Sequence, residues 1–60
     1  MFWEQMESRF GSRQADTIAR DQVMRYLDGQ TVVQALAAGW SAKAVWLGVC
    51  EAYEIPLAER

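Results

Sequence analysis

The sequence has no histidine, one cysteine and one proline among its 60 residues. Without histidine it lacks the side chain that most often serves as a general base near neutral pH. A lone cysteine, Cys50, cannot form a disulfide within the chain, and structural zinc sites need several Cys or His ligands at characteristic spacing. We therefore expect a protein that is not an enzyme and that holds neither a metal nor a cofactor.

A long uninterrupted apolar run is missing as well. The nearest approach is the segment 31–50, which is interrupted by Gln34, Gly39, Ser41 and Lys43. A membrane-spanning helix needs about 20 mostly apolar residues, so this segment predicts two short helices and no membrane partner. The N-terminal residues include acids where a secretory signal would be basic, so no such signal is expected.

The chain does have the means to build a small core. Hydrophobic residues make up 52% of the sequence and include three Trp, two Tyr and two Phe. Large aromatic side chains supply much buried area per ordered residue, which a chain of this size needs. We predict one small domain spanning 1–60. The net charge of −2, with both signs spread along the chain, argues against a polyanion as the obvious partner.

Apolar residues recur every three or four positions along nearly the whole chain, and strand-like alternation is missing. This spacing predicts an all-α fold, a bundle of about four short helices. In the first half, Gly11 is expected to end one helix, and Ser12 to cap a longer helix that runs to about Asp28.

The long helix is expected to have an apolar face and a charged face. The apolar face, predicted to join the core, carries Ala15, Ile18, Ala19, Val23 and Tyr26. The charged face carries two acid-to-base pairs in the favourable i,i+4 order, Asp16–Arg20 and Asp21–Arg25. Gln22 is predicted to be a satisfied polar group within the apolar face, and Met24 is predicted to lie exposed between the charges.

In the second half, Thr31 and Gln34 have the spacing of a capping box for a short helix that ends at Gly39. Ser41 is expected to cap the last helix, which Pro56 cannot continue. The apolar stripe of the last helix comprises Ala42, Val45, Trp46, Val49, Ala52 and Tyr53. We expect this stripe to meet the apolar face of the long helix in one core that Trp3 and Phe10 close.

The last two helices resemble a helix-turn-helix, since Ala35, Gly39 and Val45 follow its small–Gly–aliphatic spacing. A DNA-reading helix would need cations for phosphate contacts. The last helix carries one lysine, Lys43, against two glutamates and has no arginine. Specific nucleic-acid binding is therefore disfavoured, and DNA association remains the alternative to protein binding.

One apolar residue of the last helix falls on its polar side. On a helical wheel, Leu47 lies between Lys43 and Glu51. We predict that these three residues bind a partner, either an unknown protein or a second copy, with the leucine in contact and the charges at the rim. The alternative is an ordinary exposed leucine, because scattered apolar residues are normal on soluble surfaces.

The sequence also resembles a family of short bacterial proteins, chiefly actinobacterial, that is known as a domain of unknown function. The motifs that carry the resemblance are Trp3, Met6-Glu7, Arg9-Phe10-Gly11, Ala19-Arg20-Asp21, Thr31, Ala35-Leu36, Ala38-Gly39, Val45-Trp46, Val49-Cys50 and Ile55-Pro56. The resemblance implies a cytoplasmic protein and no established activity. The family tends to have His at the position of Gln22 and Arg at that of Leu47. The lack of catalytic side chains and the apolar Leu47 on the polar side of the last helix together favour a non-enzymatic protein-interaction module.

Overall fold

The structure, a computed structural model, describes residues 2–60, so Met1 lies outside the described residues. Four α-helices follow one another: α1 (Phe2–Phe10), α2 (Ser12–Asp21), α3 (Val32–Ala37) and α4 (Ala42–Ala52). Single turns of 3₁₀ helix occupy Arg25–Leu27 and Leu57–Glu59. Across residues 2–60 there is no strand beyond an isolated bridge between Met24 and Gln30. The predicted all-α class, a small bundle of about four short helices, is confirmed.

Local capping interactions set the boundaries of α3 and α4. The Thr31 hydroxyl accepts a hydrogen bond from the Gln34 amide at 3.1 Å, and the Gln34 side chain accepts one from the Thr31 amide at 2.9 Å. The Ser41 hydroxyl accepts from the Ala44 amide at 3.1 Å. Gly39, with φ of 99°, provides the turn between the two helices. These boundaries agree with the sequence-based predictions.

The predicted cap of α2 is wrong. Gly11, not Ser12, is the N-cap of this helix, and no side chain caps it. The prediction that this helix continues to about Asp28 is also wrong, because the helix ends at Asp21. The chain then becomes extended, with φ and ψ of −86° and 112° at Gln22.

The reason for the early end of α2 is the burial of two side chains that a continued helix would have placed elsewhere. Met24 is extended, and its amide donates to the Gln30 carbonyl at 3.1 Å. This arrangement leaves Met24 only 4% exposed and Leu27 fully buried. Burying a large apolar side chain stabilises the fold by about 1.5–3 kcal/mol, more than one further turn of helix would contribute.

Four predictions for this region are therefore wrong. Val23 is 63% exposed and Tyr26 is 51% exposed, so neither joins the core. Gln22 is exposed and not a polar group within an apolar face, whereas Met24 belongs to the core and not to the charged surface. Each change follows from the same break in helical periodicity after Asp21.

Only one of the two predicted ion pairs of the long helix forms. Arg20 Nε lies 3.0 Å from Asp16 Oδ1, one helical turn away. The i,i+4 geometry does not extend to Arg25, which lies beyond the helix end, and the structure shows no ion pair between Arg25 and Asp21. The exposed Asp16–Arg20 pair adds at most a few tenths of a kcal/mol, roughly 0.3–0.5.

The core contains side chains from all four helices, from the segment between α2 and α3, and from the segment that follows α4. Its fully or nearly fully buried members include Phe2, Met6, Ala15, Ile18, Ala19, Met24, Leu27, Val32, Ala35, Val45, Trp46, Val49, Cys50 and Ile55. Phe10 is half-buried against this core, as predicted. Trp3 is 44% exposed, so the prediction that it closes the core is wrong. Ala42, Ala52 and Tyr53, predicted in the stripe of α4, are exposed as well.

The centre of α4 approaches the 3₁₀ turn at Arg25–Leu27 closely, and Gly48 makes this possible. A Cβ atom at this position would lie 2.5 Å from Leu27 Cδ2 and 3.3 Å from the Tyr26 carbonyl oxygen. Because glycine has no Cβ, the turn can pack directly on the helix backbone. None of the helices between residues 2 and 60 combines the length and apolar character needed to cross a membrane.

Candidate protein-binding site

An open groove lies where the start of α1 meets α4. Its volume is about 430 Å³, and it is lined by Phe2, Gln5, Ala42, Lys43, Trp46, Leu47 and Arg60. We call it the main groove. The Phe2 and Trp46 rings, both buried, pack edge to face with centroids 6.3 Å apart and form its apolar base. The exposed Leu47 side chain extends this apolar surface toward solvent.

Two of the three predicted partner-binding residues line this groove. Leu47 is 43% exposed, and Lys43 is exposed one turn before it. Glu51 does not line the groove, but its carboxylate lies 3.1 Å from the guanidinium of Arg60, which does. The structure therefore brings Lys43 and Leu47 together on one surface and joins Glu51 to that surface through an intramolecular ion pair.

The two cations of the main groove differ in their availability. The Arg60 side chain is engaged twice, because Nε donates to the Ile55 carbonyl at 2.7 Å and Nη2 pairs with Glu51. Lys43 forms no ion pair with any residue between 2 and 60. Lys43 is thus the positive charge that the groove can offer to another molecule.

Trp46 has a second property of interest. Its indole Nε1 is buried and finds no acceptor among residues 2–60. A buried donor without a partner costs about 1–3 kcal/mol. The same residue lines an adjoining polar groove of about 440 Å³, together with Gln5 and Arg9. The Arg9 guanidinium there forms an ion pair with Glu59, which ties α1 to the C-terminal 3₁₀ turn.

Sequence reasoning missed Phe2, Gln5 and Arg60 as parts of the groove. They lie near the two ends of the chain, and helical periodicity does not indicate which end packs beside which face of α4. Trp46 was expected only in the core, although it also forms the base of the groove. Phe2 was the available signal for this groove, because a large aromatic side chain at the start of a helix is expected to pack against another element.

Cys50 is fully buried in the core, and burial raises the pKa of its thiol. A thiol in this state is a poor nucleophile, because the thiolate is the reactive form. Among residues 2–60 no group of three or more Cys, Asp or Glu side chains is arranged to hold a metal ion.

A second open surface lies where the extended segment after α2 meets the end of α4. It has a volume of about 390 Å³ and is lined by Gln22, Val23, Met24, Arg25, Tyr26, Ala52 and Tyr53. We call it the tyrosine surface. It shares no residue with the main groove.

Comparison with curated proteins gives no significant match, and comparison with solved structures gives none either. A family profile does match the chain over residues 1–58, which is nearly its whole length. The expected membership of a short family without assigned function is thereby confirmed. The chain belongs to the family described as "Protein of unknown function (DUF3046)".

Proposed function

We propose that this protein is a non-enzymatic interaction module whose main groove binds a short apolar segment of a partner protein. The segment carries a carboxylate beside its apolar residues. The observation that carries the proposal is the combination of an apolar base, formed by Phe2 and Trp46, with the ammonium group of Lys43, for which residues 2–60 provide no ion-pair partner.

The apolar part of the groove supplies the affinity. Leu47 is 43% exposed, so covering it with a partner side chain removes nearly half of its surface from water. This contributes roughly 1 kcal/mol, and each further apolar contact along the Phe2–Trp46 base adds to it. Apolar anchors in a pocket that is largely formed before binding are typical of protein-recognition sites.

The charge of Lys43 supplies orientation and selectivity. A carboxylate on the partner gains an ion pair with Lys43, whereas a lysine or arginine at the same place is repelled. The pair would sit at the rim of the groove and contribute modestly to affinity, about 0.2–1 kcal/mol. An acidic residue next to apolar residues is therefore the expected signature of the partner segment.

DNA association is the weaker alternative. Two of the arginines in the first half are engaged by carboxylates, Arg9 by Glu59 and Arg20 by Asp16. Phosphate contacts would have to compete with these pairs. We expect weak, strongly salt-sensitive binding to duplex DNA at most. Submicromolar binding at near-physiological salt in an anisotropy titration, lost on Lys43→Glu, would reverse this ranking.

The proposal is tested by selecting binding peptides from a displayed library of random short peptides. We expect the selected peptides to share apolar residues flanked by an acid. Synthetic versions should bind the wild type and shift amide resonances of α1 and α4 in an NMR titration.

The decisive comparison uses two matched variants. Leu47→Arg places a charge in the groove, while Val33→Arg makes the same kind of change at an equally exposed residue (44% against 43%) on α3. Both should fold with stability within about 0.5 kcal/mol of the wild type. Leu47→Arg should abolish peptide binding and Val33→Arg should leave it unchanged. Equal binding by both variants would refute the assignment of the main groove.

A further inference from the structure

The tyrosine surface contains an open backbone edge. In the extended segment, the amide of Met24 donates to the Gln30 carbonyl at 3.1 Å, and its carbonyl accepts from the Gly29 amide at 3.0 Å. Successive peptide groups of an extended chain point to opposite edges. The N–H and C=O of Val23 therefore face away from Gln30, and neither forms a hydrogen bond with any described residue.

We propose that this edge pairs with the same edge of a second copy of the chain, antiparallel and about a two-fold axis. In that arrangement Val23 lies opposite Val23 of the second copy. Each valine donates its N–H to the carbonyl of the other, which forms the hydrogen-bonded pair of an antiparallel ladder. The Val23–Val23 pair thus satisfies the two backbone groups that each copy leaves open, four in the dimer.

Charge complementarity supports a second copy as the occupant. In a register centred on Val23, position 21 lies opposite position 25 of the other chain. Only positions 22–24 are strand-like, so the end of α2 in one copy lies beside the start of the 3₁₀ turn in the other. This places Asp21 near Arg25 of the second copy, and the symmetry repeats the proximity on the other side of the axis. Both residues are exposed, and neither forms an ion pair with another residue of the range 2–60.

The side chains around the edge provide apolar surface for the contact. Val23, Tyr26 and Tyr53 are 63%, 51% and 39% exposed. The Tyr53 ring packs on Phe10 with centroids 5.0 Å apart, so its position is set before association. An edge of a single residue and three partly exposed side chains make a small interface, typical of weak and reversible dimers.

The test is the concentration dependence of molecular mass, measured by sedimentation equilibrium on the whole chain. We expect the wild type to show a reversible monomer–dimer equilibrium. Asp21→Arg places arginine opposite arginine at both pairs, and Arg25→Asp places aspartate opposite aspartate. Each variant alone should dimerise at least about tenfold more weakly, because like charges lie face to face.

Mixing the two variants provides the sharpest result. A mixed dimer of Asp21→Arg with Arg25→Asp has an opposite-charge pair on both sides of the axis, so association should return to near the wild-type level. Arg13→Asp, the same kind of charge change away from the edge, is the control and should dimerise like the wild type. Circular dichroism verifies that each variant folds.

Two outcomes would overturn the proposal. A wild type that stays monomeric at the highest soluble concentration leaves no dimer to explain. A dimer that persists in both single variants, or that fails to re-form in their mixture, does not use this register. Because the tyrosine surface and the main groove share no residue, neither outcome affects the peptide-binding proposal.

Discussion

Replacing Gly48 with alanine tests how α4 packs on the preceding 3₁₀ turn. In an exposed helix, Gly→Ala stabilises by about 1 kcal/mol because alanine restricts the unfolded chain and favours the helix. Here the added Cβ would lie 2.5 Å from Leu27 Cδ2 and 3.3 Å from the Tyr26 carbonyl oxygen. Leu27 is fully buried, so its side chain has no solvent-filled space to move into.

The two effects oppose each other, and the packing effect should be larger. Forcing an extra carbon into a filled core costs about 1–3 kcal/mol. After subtraction of the gain in helix propensity, Gly48→Ala should lower the free energy of unfolding by about 1 kcal/mol. In a domain of this size, such a change lowers the melting temperature by about 4–8 °C.

Thermal and urea unfolding, followed by circular dichroism, measures this change. Leu27→Val provides the control, because valine lacks the Cδ2 atom that alanine at 48 would meet. In the Leu27→Val background, Gly48→Ala should lose its cost, with a coupling of about 1 kcal/mol between the two sites. A Gly48→Ala protein that is more stable than the wild type would refute the close approach of the turn to α4.

Four further predictions concern the core and the caps. Trp46→Ala should lower the free energy of unfolding by about 3–5 kcal/mol, enough to unfold a marginal domain, and wild-type melting would contradict its place in the core. Thr31→Ala should cost about 1 kcal/mol because it breaks the capping box, whereas Ser12→Ala should change stability by less than about 0.5 kcal/mol, as Ser12 makes no cap. Burial raises the pKa of the Cys50 thiol, so the folded protein should react with iodoacetamide far more slowly than the urea-unfolded chain. Stability should also fall as pH rises above the ordinary thiol pKa of 9.0, because the unfolded chain then ionises while the folded one does not. Rapid alkylation of the native protein would contradict the buried thiol.

The second half of the fold could be predicted because local interactions determine it. The Thr31–Gln34 capping box, the Ser41 cap and the turn at Gly39 each act within a few residues of their own position. Sequence patterns report such short-range interactions directly. Within the central turns of α4, helical phase likewise placed Val45, Trp46 and Val49 in the core and Leu47 on the exposed side, although Ala42, Ala52 and Tyr53 of the predicted stripe are exposed.

The region after Asp21 could not be predicted in this way. Periodicity alone favours a continued helix, and the gain from burying Met24 and Leu27 depends on where α4 lies. Gly48 allows the Leu27 side chain to pack against the backbone of α4. In the sequence alone, a glycine at this position indicates only an unfavourable helix residue. Tertiary packing therefore decided both the end of α2 and the exposure of Val23.

The candidate site could be predicted only in part. Helical phase identified Lys43 and Leu47, which lie on one element and share the main groove. Phe2 and Arg60 reach the groove from opposite ends of the chain, and no local pattern relates them to α4. The ion pair of Glu51 with Arg60 is a contact of this kind, and it changes the role expected for Glu51.

The most direct test of the proposed groove is the charge preference of the peptides it selects. The peptide-library selection is run in parallel on the wild type, on Lys43→Glu and on Arg13→Glu, which makes the same charge change on α2. The wild type and Arg13→Glu should both enrich apolar peptides with an acidic residue. Lys43→Glu should enrich apolar peptides with a basic residue in its place. If the same acidic peptides bind all three proteins equally well, Lys43 does not contact the partner and the proposed groove is wrong.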